Sequence, residues 1–340
     1  MEKSTIYDIA KELNISAATV SRALNNNLKI SSATRKLVIE TASRMNYKQN
    51  KVALALKSGK SNNVGVIVPR IDSNFFASII RGIEDELHPQ GYHVIICQTH
   101  ENEKREIENI NTLFNAQVDG ILLSISNTTK ENENIFKKLL NKNTPIIFFD
   151  RKMNIEGASS VTINDFEAGY IATKHLIDKG CKKIAHFSGD QSLEIFENRF
   201  KGYKQALLDN NLKFIEEYVI RIKSSVDQGI NAAKTLLSLE NRPDAIFSSS
   251  DFASLGAIQE IKKQGIKIPE DFCVVGFGNE PFTKFMELSI STVDQSPLEM
   301  GKMAAKVFLE QTKNNDNLKI EKKVVLTPEL QERDSSDRKK

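Results

Sequence analysis

The sequence predicts a small all-α domain at the N-terminus, followed by an α/β body made of two parallel-sheet lobes. Up to about residue 47, apolar residues recur at the spacing of helix faces. From Asn63 onward, short apolar runs alternate with helix-like segments, and this alternation restarts after Asp165. Alternating strands and helices are typical of parallel sheets with right-handed crossovers, so two such blocks indicate two lobes.

The first helix is predicted to start after Thr5, a favourable N-cap, with Asp8 three residues later as in a capping box. Its apolar face is formed by Ile6, Ile9, Ala10 and Leu13. Asn14 interrupts this pattern, and because Asn tolerates the left-handed backbone conformation we expect the helix to end there.

A second short helix is predicted after Ser16, its expected cap. Its inward residues are predicted to be Val20, Ala23 and Leu24, and its outward residues Ala17, Ala18, Ser21 and Arg22. Small and polar outward residues are typical of a recognition helix, whose N-terminal residues contact base edges in the major groove. Ser and Thr can bond phosphates or bases, Arg can bond guanine, and Ala can contact a thymine methyl group. The alternative is an ordinary helical hairpin inside a larger core.

A third helix is predicted from Ala33 to Met45, with Ser31 and Ser32 as caps and Asn46 at its end. It would close a three-helix core with Leu37, Val38, Ala42 and Met45. Residues 1–60 carry 8 Lys and 3 Arg against 4 Asp plus Glu, whereas the whole chain has a net charge of only +3. A basic head on a mildly acidic body favours a nucleic-acid-binding head over a merely solvated surface.

The α/β body is predicted from apolar runs and helical segments that follow one another along the chain. The predicted strands are 64–68, 92–97, 120–123, 145–149, 183–187, 218–222, 245–247 and 273–277. The predicted helices of the first block are 75–87, 103–114 and about 132–140. In such sheets, ligands bind outside the carboxyl ends of the strands.

Composition argues against several other classes of protein. No run of about 18 apolar residues is present, and no apolar signal region precedes the first helix, so we expect a cytoplasmic protein. Cys97, Cys181 and Cys273 lack a paired spacing and the five His are scattered, so neither a disulfide nor a metal site is expected. No cofactor is expected either, because Gly59-Lys60-Ser61 lacks the earlier Gly of a phosphate-binding loop.

The chain resembles the LacI/GalR family of bacterial transcription regulators over almost its whole length. The resemblance is carried by Tyr7-Asp8-Ile9-Ala10, Ile15-Ser16, Thr19-Val20-Ser21-Arg22-Ala23-Leu24-Asn25, Ile30-Ser31, Thr34-Arg35 and Asn46-Tyr47. It implies a helix-turn-helix domain and a body similar to periplasmic sugar-binding proteins, with two flavodoxin-like lobes around a ligand cleft. Three crossings of the chain between the lobes are expected near Asn164, Ser291 and Lys322.

On the DNA side, the resemblance implies a hinge helix around residues 50–58, whose Leu56 would wedge between base pairs in the minor groove. Gln49 departs from the family, where many members have Pro. The residues expected to contact DNA are Thr5, Tyr7, Ser16, Ala17, Ala18, Thr19, Ser21, Arg22, Asn25, Ser31, Thr34, Tyr47, Asn50, Ala53 and Leu56.

On the ligand side, Arg199 matches a ligand-contacting arginine of the family, Asp150-Arg151 matches a frequent family pair, and Ser250-Asp251 stands where many members read Asn-Asp. The residues expected to contact the effector are Asp72, Asn74, Phe75, Phe76, Arg151, Arg199, Ser250, Asp251 and Asn279. Gly278 stands where family members commonly carry Asp, and the loss of this carboxylate points to an acidic or otherwise unusual effector. Arg and Asp suit hydroxyl-rich ligands because both make charge-assisted hydrogen bonds, so a sugar or sugar derivative is expected.

The expected domains are a DNA-binding domain at 1–47, a hinge helix and linker at 48–62, a first lobe at 63–163 plus 292–321, a second lobe at 164–291 plus 322–333, and a charged tail at 334–340. The expected protein is a DNA-binding regulator, favoured as a repressor and not an enzyme, that binds a pseudo-palindromic operator as a homodimer in the cytoplasm, on the nucleoid. A stand-alone ligand-binding protein and an α/β enzyme are the alternatives.

Overall fold

The computed structural model describes residues 4–48, 60–126, 133–313 and 321–338. The chain forms two compact units, Met1–Ser61 and Asn62–Lys340. The predicted hinge contacts Asn50, Ala53 and Leu56 lie outside the described residues.

The first unit is a three-helix domain with α1 (Ile6–Glu12), α2 (Ala17–Leu24) and α3 (Ser32–Arg44). Thr5 and Asp8 form the predicted capping box, and Asn14 and Asn46 adopt the left-handed conformation that ends α1 and follows α3. Fully buried Ile9, Val20, Ala23 and Val38 form the centre of its core. The sequence therefore predicted this domain element by element.

Two expectations in this unit are wrong. Leu37 was expected in the core but is 51% exposed, because the inward side of α3 follows the helical period through Val38, Thr41 and Ala42. Ala17 was expected to face outward, but it is half-buried and packs against the core at the first turn of α2.

The second unit contains two six-stranded sheets. In spatial order the first sheet holds β11 (Lys323–Leu326), β5 (Ser159–Ile163), β4 (Ile146–Phe149), β3 (Gly120–Leu123), β1 (Asn63–Val68) and β2 (His93–Gln98), all parallel. The second holds β12 (Glu329–Gln331), β10 (Ser291–Asp294), β9 (Cys273–Phe277), β8 (Ala245–Ser248), β6 (Ile184–Ser188) and β7 (Val219–Arg221), all parallel except β12. These sheets are the two predicted lobes.

Helices connect the strands, as the alternation predicted. They are α4 (Asn74–Leu87), α5 (Glu103–Asn115), α6 (Glu133–Asn141), α7 (Asp165–Asp178), α8 (Glu194–Asp209), α9 (Val226–Leu237), α10 (Asp251–Lys263), α11 (Phe282–Phe285) and α12 (Pro297–Lys313). None of the helices in the described ranges is both long and apolar enough to cross a bilayer.

Two of the three crossings between the sheets lie at other places than expected. The first crossing follows β5 near Asn164, as predicted, but β10 keeps residues 292–294 in the second sheet because it pairs with β9. β11 pairs in parallel with the edge strand β5, so residues 323–326 belong to the first sheet rather than the second. The second crossing thus follows Asp294, and the third lies between Leu326 and Glu329.

The predicted charged tail is also wrong as a description of residues 334–338. Ser335 and Ser336 are fully buried, and the Ser335 hydroxyl donates to the carbonyl of Val274 over 2.6 Å. We call residues 332–338 the C-terminal strap, because they are bonded to α7, β9 and β10.

Candidate functional site

The exposed face of α2 and the caps of the helices form the candidate DNA interface. The Ser16 hydroxyl accepts a hydrogen bond from the Thr19 N–H over 3.1 Å, and Ser31 does the same for Thr34 at the start of α3. These hydroxyls therefore fix the helix N-termini, whose N–H groups favour phosphate oxygens. Arg22 is exposed on α2, and Tyr7 on α1 is 72% exposed.

The other predicted DNA contacts in the described part of the first unit divide by exposure. Thr5, Ser16, Ala18, Asn25 and Ser31 are exposed, whereas Ala17, Thr19, Ser21, Thr34 and Tyr47 are half-buried. Arg35, which was not predicted as a contact, donates to the carbonyls of Asn27 and Ile30 over 3.0 and 3.3 Å. It holds the loop between α2 and α3.

A cavity of about 550 Å³ lies where the first crossing leaves β5. It is lined by both lobes, since Ser126, Asp150 and Arg151 follow strands of the first sheet, while Glu194 and Asn198 belong to α8. Cavities of this size that hold a few polar groups are typical of small-molecule sites. The cavity thus lies at the carboxyl ends of the strands, where the topology predicts a ligand site.

Each cation in the cavity wall already has a carboxylate partner. Arg151 donates to Glu101 over 2.8 Å, and Lys152 lies 3.9 Å from Glu194. The carboxylates that line the cavity are Glu133, Asp150, Asp165, Glu194 and Glu197. Burial raises the pKa of Asp150, which accepts a hydrogen bond from Ser124 over 3.0 Å. The wall therefore carries more carboxylates than cations.

Arg199 does not line this cavity but holds one of its walls. Its Nε donates to Asp165 over 2.7 Å, its Nη2 donates to Gln295 over 3.2 Å, and its guanidinium lies 3.6 Å from the ring centroid of Phe277. Burial raises the pKa of Asp165 to about 6, although Arg199 opposes this effect. Arg199 is 4% exposed and joins the first crossing to the second.

Glycines let α7 and α8 approach closely enough for this ion pair. A Cβ on Gly169 would lie 2.1 Å from the carbonyl oxygen of Arg199, and one on Gly202 would lie 2.0 Å from that of Phe166. Since no Cβ can come so near a backbone atom, the two helices need glycine at both positions.

The residues predicted to follow β1 do not line the cavity. Asp72 is exposed and bonded to Arg70, and Asn74 is exposed at the start of α4. Phe75 packs half-buried against the core, and Phe76 is 5% exposed within it. Burial in the core leaves Phe76 no ring face for a ligand, so that prediction is wrong.

Ser250 and Asp251 hold the backbone in place. Ser250 caps α10, and the Asp251 carboxylate accepts from the Thr292 hydroxyl over 2.7 Å and from the Glu280 N–H over 2.8 Å. Burial raises the pKa of Asp251 to about 6. Its Oδ2 lies 3.5 Å from where a Cβ of Gly278 would be. A carboxylate therefore lies beside Gly278, but it is buried and bonded to Thr292 and Glu280, so it does not test the expectation of an acidic or otherwise unusual effector.

Of the nine predicted effector contacts, Arg151 alone lines this cavity. Sequence reasoning missed Asp165, Glu194 and Asn198, although the predicted crossing near Asn164 pointed to the first of them. Asn279 lies apart from the cavity and is bonded to Asp294 and Arg333.

Comparisons with known proteins agree with these features. Residues 5–50 match bacterial regulatory proteins of the lacI family, and residues 61–327 match periplasmic binding proteins and the sugar-binding domain of the LacI family. Catabolite control protein A of Priestia megaterium is 34% identical over 325 residues, covering 95% of this chain and 96% of the relative.

Two solved structures are similar to the chain. A LacI family regulator from Enterococcus faecium with bound ribose has a TM-score of 0.71 and 26% identity, covering 82% of this chain and all of that one. The lac repressor dimer bound to operator and the anti-inducer ONPF has a TM-score of 0.86 and 20% identity, with 98% and 99% covered, and supports the fold alone.

Proposed function

Because this chain belongs to the LacI family of bacterial transcription regulators, we propose that it is a repressor controlled by a neutral sugar-like ligand held between its lobes. As a member of that family it is a DNA-binding regulator with an effector-binding body, and not an enzyme. Helix-turn-helix dimers bind operators whose symmetry mirrors their own two-fold axis, so we place this chain as a homodimer on a pseudo-palindromic operator.

The observation that carries this proposal is the cavity at the first crossing. Both lobes contribute to its wall, so a ligand bound there contacts both lobes at once. A ligand shifts an equilibrium between lobe arrangements only by its differential affinity for them. A ligand in a cavity at the junction can bind one arrangement of the lobes more tightly than another. The hinge at 48–62 would pass the resulting change of arrangement on to the DNA-binding domain.

The charge of the cavity favours a neutral ligand. Arg151 and Lys152 are the cations that line the cavity, and both already have carboxylate partners, so an anion would have to displace a carboxylate to bind either of them. Sugar hydroxyls can instead donate charge-assisted hydrogen bonds to these oxygens. The ribose held by the Enterococcus faecium relative supports the same class.

Matched ligands test this proposal on the full chain. Ribose should raise the melting temperature and change the affinity for an operator selected from random DNA, since a ligand that binds the native state stabilises it. Ribose 5-phosphate should do neither at equal concentration. A stronger effect of the phosphate would overturn the neutral class, and failure to select any DNA would contradict operator binding.

The remaining expectations extend this proposal. We place the protein in the cytoplasm, on nucleoid DNA, with the helix-turn-helix domain at 1–47 and the hinge at 48–62. Thr5, Tyr7, Ser16, Ala18, Arg22, Asn25 and Ser31 are the exposed residues from which we expect DNA contacts.

A further inference from the structure

Asn279 occupies a position between two segments that follow crossings of the chain. Its Nδ2 donates to Oδ2 of Asp294 over 2.7 Å, and its Oδ1 accepts from Nη2 of Arg333 over 2.6 Å. Asp294 is the last residue before the second crossing, and Arg333 lies in the C-terminal strap, after the third. Because one amide group serves both partners, its orientation is fixed by their opposite charges.

The bonds continue on both sides of Asn279. Asp294 accepts from the backbone N–H of Ser296 over 2.7 Å, and Arg333 donates to Thr283 and to the carbonyl of Ile290, each over 2.8 Å. The Asn279 N–H itself donates to Thr292 over 3.2 Å. The loop after β9 is therefore tied to the second crossing and to the strap.

The cavity reaches the same crossing through Arg199. Asp165 lines the cavity and accepts from Arg199, which donates to Gln295, the neighbour of Asp294 in the chain. Gln295 is 7% exposed, so its side chain has little room to reorient without moving the crossing. Hydrogen bonds and one peptide link thus connect the cavity wall to Asn279 and the strap.

We propose that Asn279 is a positioning residue that couples the cavity to the second crossing through the relay Asp165–Arg199–Gln295–Asp294–Asn279–Arg333. The proposal rests on the proposed function, because it assumes that the effector binds in the cavity at Asp165. A ligand that displaces Asp165 changes the hold of Arg199 on Gln295, and the Asp294–Asn279–Arg333 bonds carry this change to the strap.

A polarity swap tests the relay without any ligand. In the Asn279→Asp variant a carboxylate faces Asp294, while Arg333 keeps an acceptor at residue 279, so amide hydrogen exchange should become roughly tenfold faster in peptides covering 291–297. In the Asn279→Asp/Asp294→Asn double variant the amide and carboxylate are exchanged, and the wild-type exchange rates should return. A double variant as fast as the single one, or an unchanged single variant, would overturn the relay.

A matched control separates positioning from general stability. Arg338 is also a strap arginine, but its Nε donates to the carbonyl of Pro269 over 3.0 Å. Arg338→Met should leave exchange at 291–297 unchanged, whereas Arg333→Met should accelerate it. Equal acceleration by both would mean that the strap acts only as packing, which contradicts the proposal.

The ribose response then tests coupling. If ribose changes the operator affinity of the wild type, Asn279→Asp should lose that response while keeping the ligand-free affinity, and the double variant should regain it. Retention of the response by the single variant would overturn the coupling. A wild type that ignores ribose would instead count against the proposed ligand class, and the exchange rates would still decide the relay.

Discussion

Arg199 and Asp165 form an ion pair over 2.7 Å in which both side chains are almost completely buried. Asp165 is the first residue of α7 after the first crossing, and Arg199 lies on α8. The pair fixes the wall of the cavity, and the loss of either member alone would leave the charge of the other without this partner in the interior.

Removing one partner should therefore be more harmful than removing both. Arg199→Met should lower the free energy of unfolding by about 3–5 kcal/mol, because a buried carboxylate is left unpaired. The Arg199→Met/Asp165→Asn double variant should recover part of this loss. Urea unfolding measures both, and a double variant less stable than the single one would contradict the reading of a mutually dependent pair.

The raised pKa of Asp165 predicts a pH dependence. In the folded state this carboxyl has a pKa of about 6 against its ordinary value of 3.8, so the folded protein binds its proton more tightly. Its contribution to stability is then greatest below the unfolded pKa and is lost as the pH rises through about 6. The free energy of unfolding of the wild type, minus that of Asp165→Asn, should fall as the pH rises from about 4 to about 6.

Asp72→Asn is the control for this measurement. Asp72 is exposed, and its hydrogen bond with Arg70 lowers its pKa, so it stays ionised throughout that window. The corresponding difference for Asp72→Asn should stay flat. A flat difference for Asp165→Asn as well would show that its ionisation is not suppressed by burial.

The close approach of α7 and α8 predicts the effect of a single methyl group. Gly169→Ala should cost roughly 1–3 kcal/mol or more of stability, because its Cβ would meet the backbone of Arg199. Leu208→Ala, on the exposed side of α8, should stay within about 0.5 kcal/mol. An unchanged melting temperature for Gly169→Ala would mean that the helices can separate freely.

The exposed Arg22 predicts a change in DNA specificity. If its guanidinium contacts guanine, Arg22→Ala should reduce discrimination between the selected operator and random DNA by about 1–3 kcal/mol. Lys36→Ala, on exposed Lys36 of α3, should leave the discrimination ratio unchanged. Competition binding at fixed salt measures both, and equal losses would point to charge alone.

The sequence predicted more of the fold than of the site, for identifiable reasons. β1 and β9 are apolar runs buried in a sheet, and such runs are visible in sequence. β5 and β10 read Ser159–Ile163 and Ser291–Asp294, and their hydroxyls are buried because neighbouring segments bond them, which no local pattern reveals. The site is hidden from the local sequence for the same reason, because Arg199 pairs with Asp165, which lies 34 residues away in the chain.

The order of the strands has a consequence for synthesis of the protein. β11 and β12 lie within residues 323–331 and supply an edge strand to each sheet. The three-helix domain can fold once α1, α2 and α3 have left the ribosome. Neither sheet is complete until β11 and β12 have also emerged. A chain interrupted late in translation would carry a finished three-helix domain on a body that lacks one edge strand of each sheet.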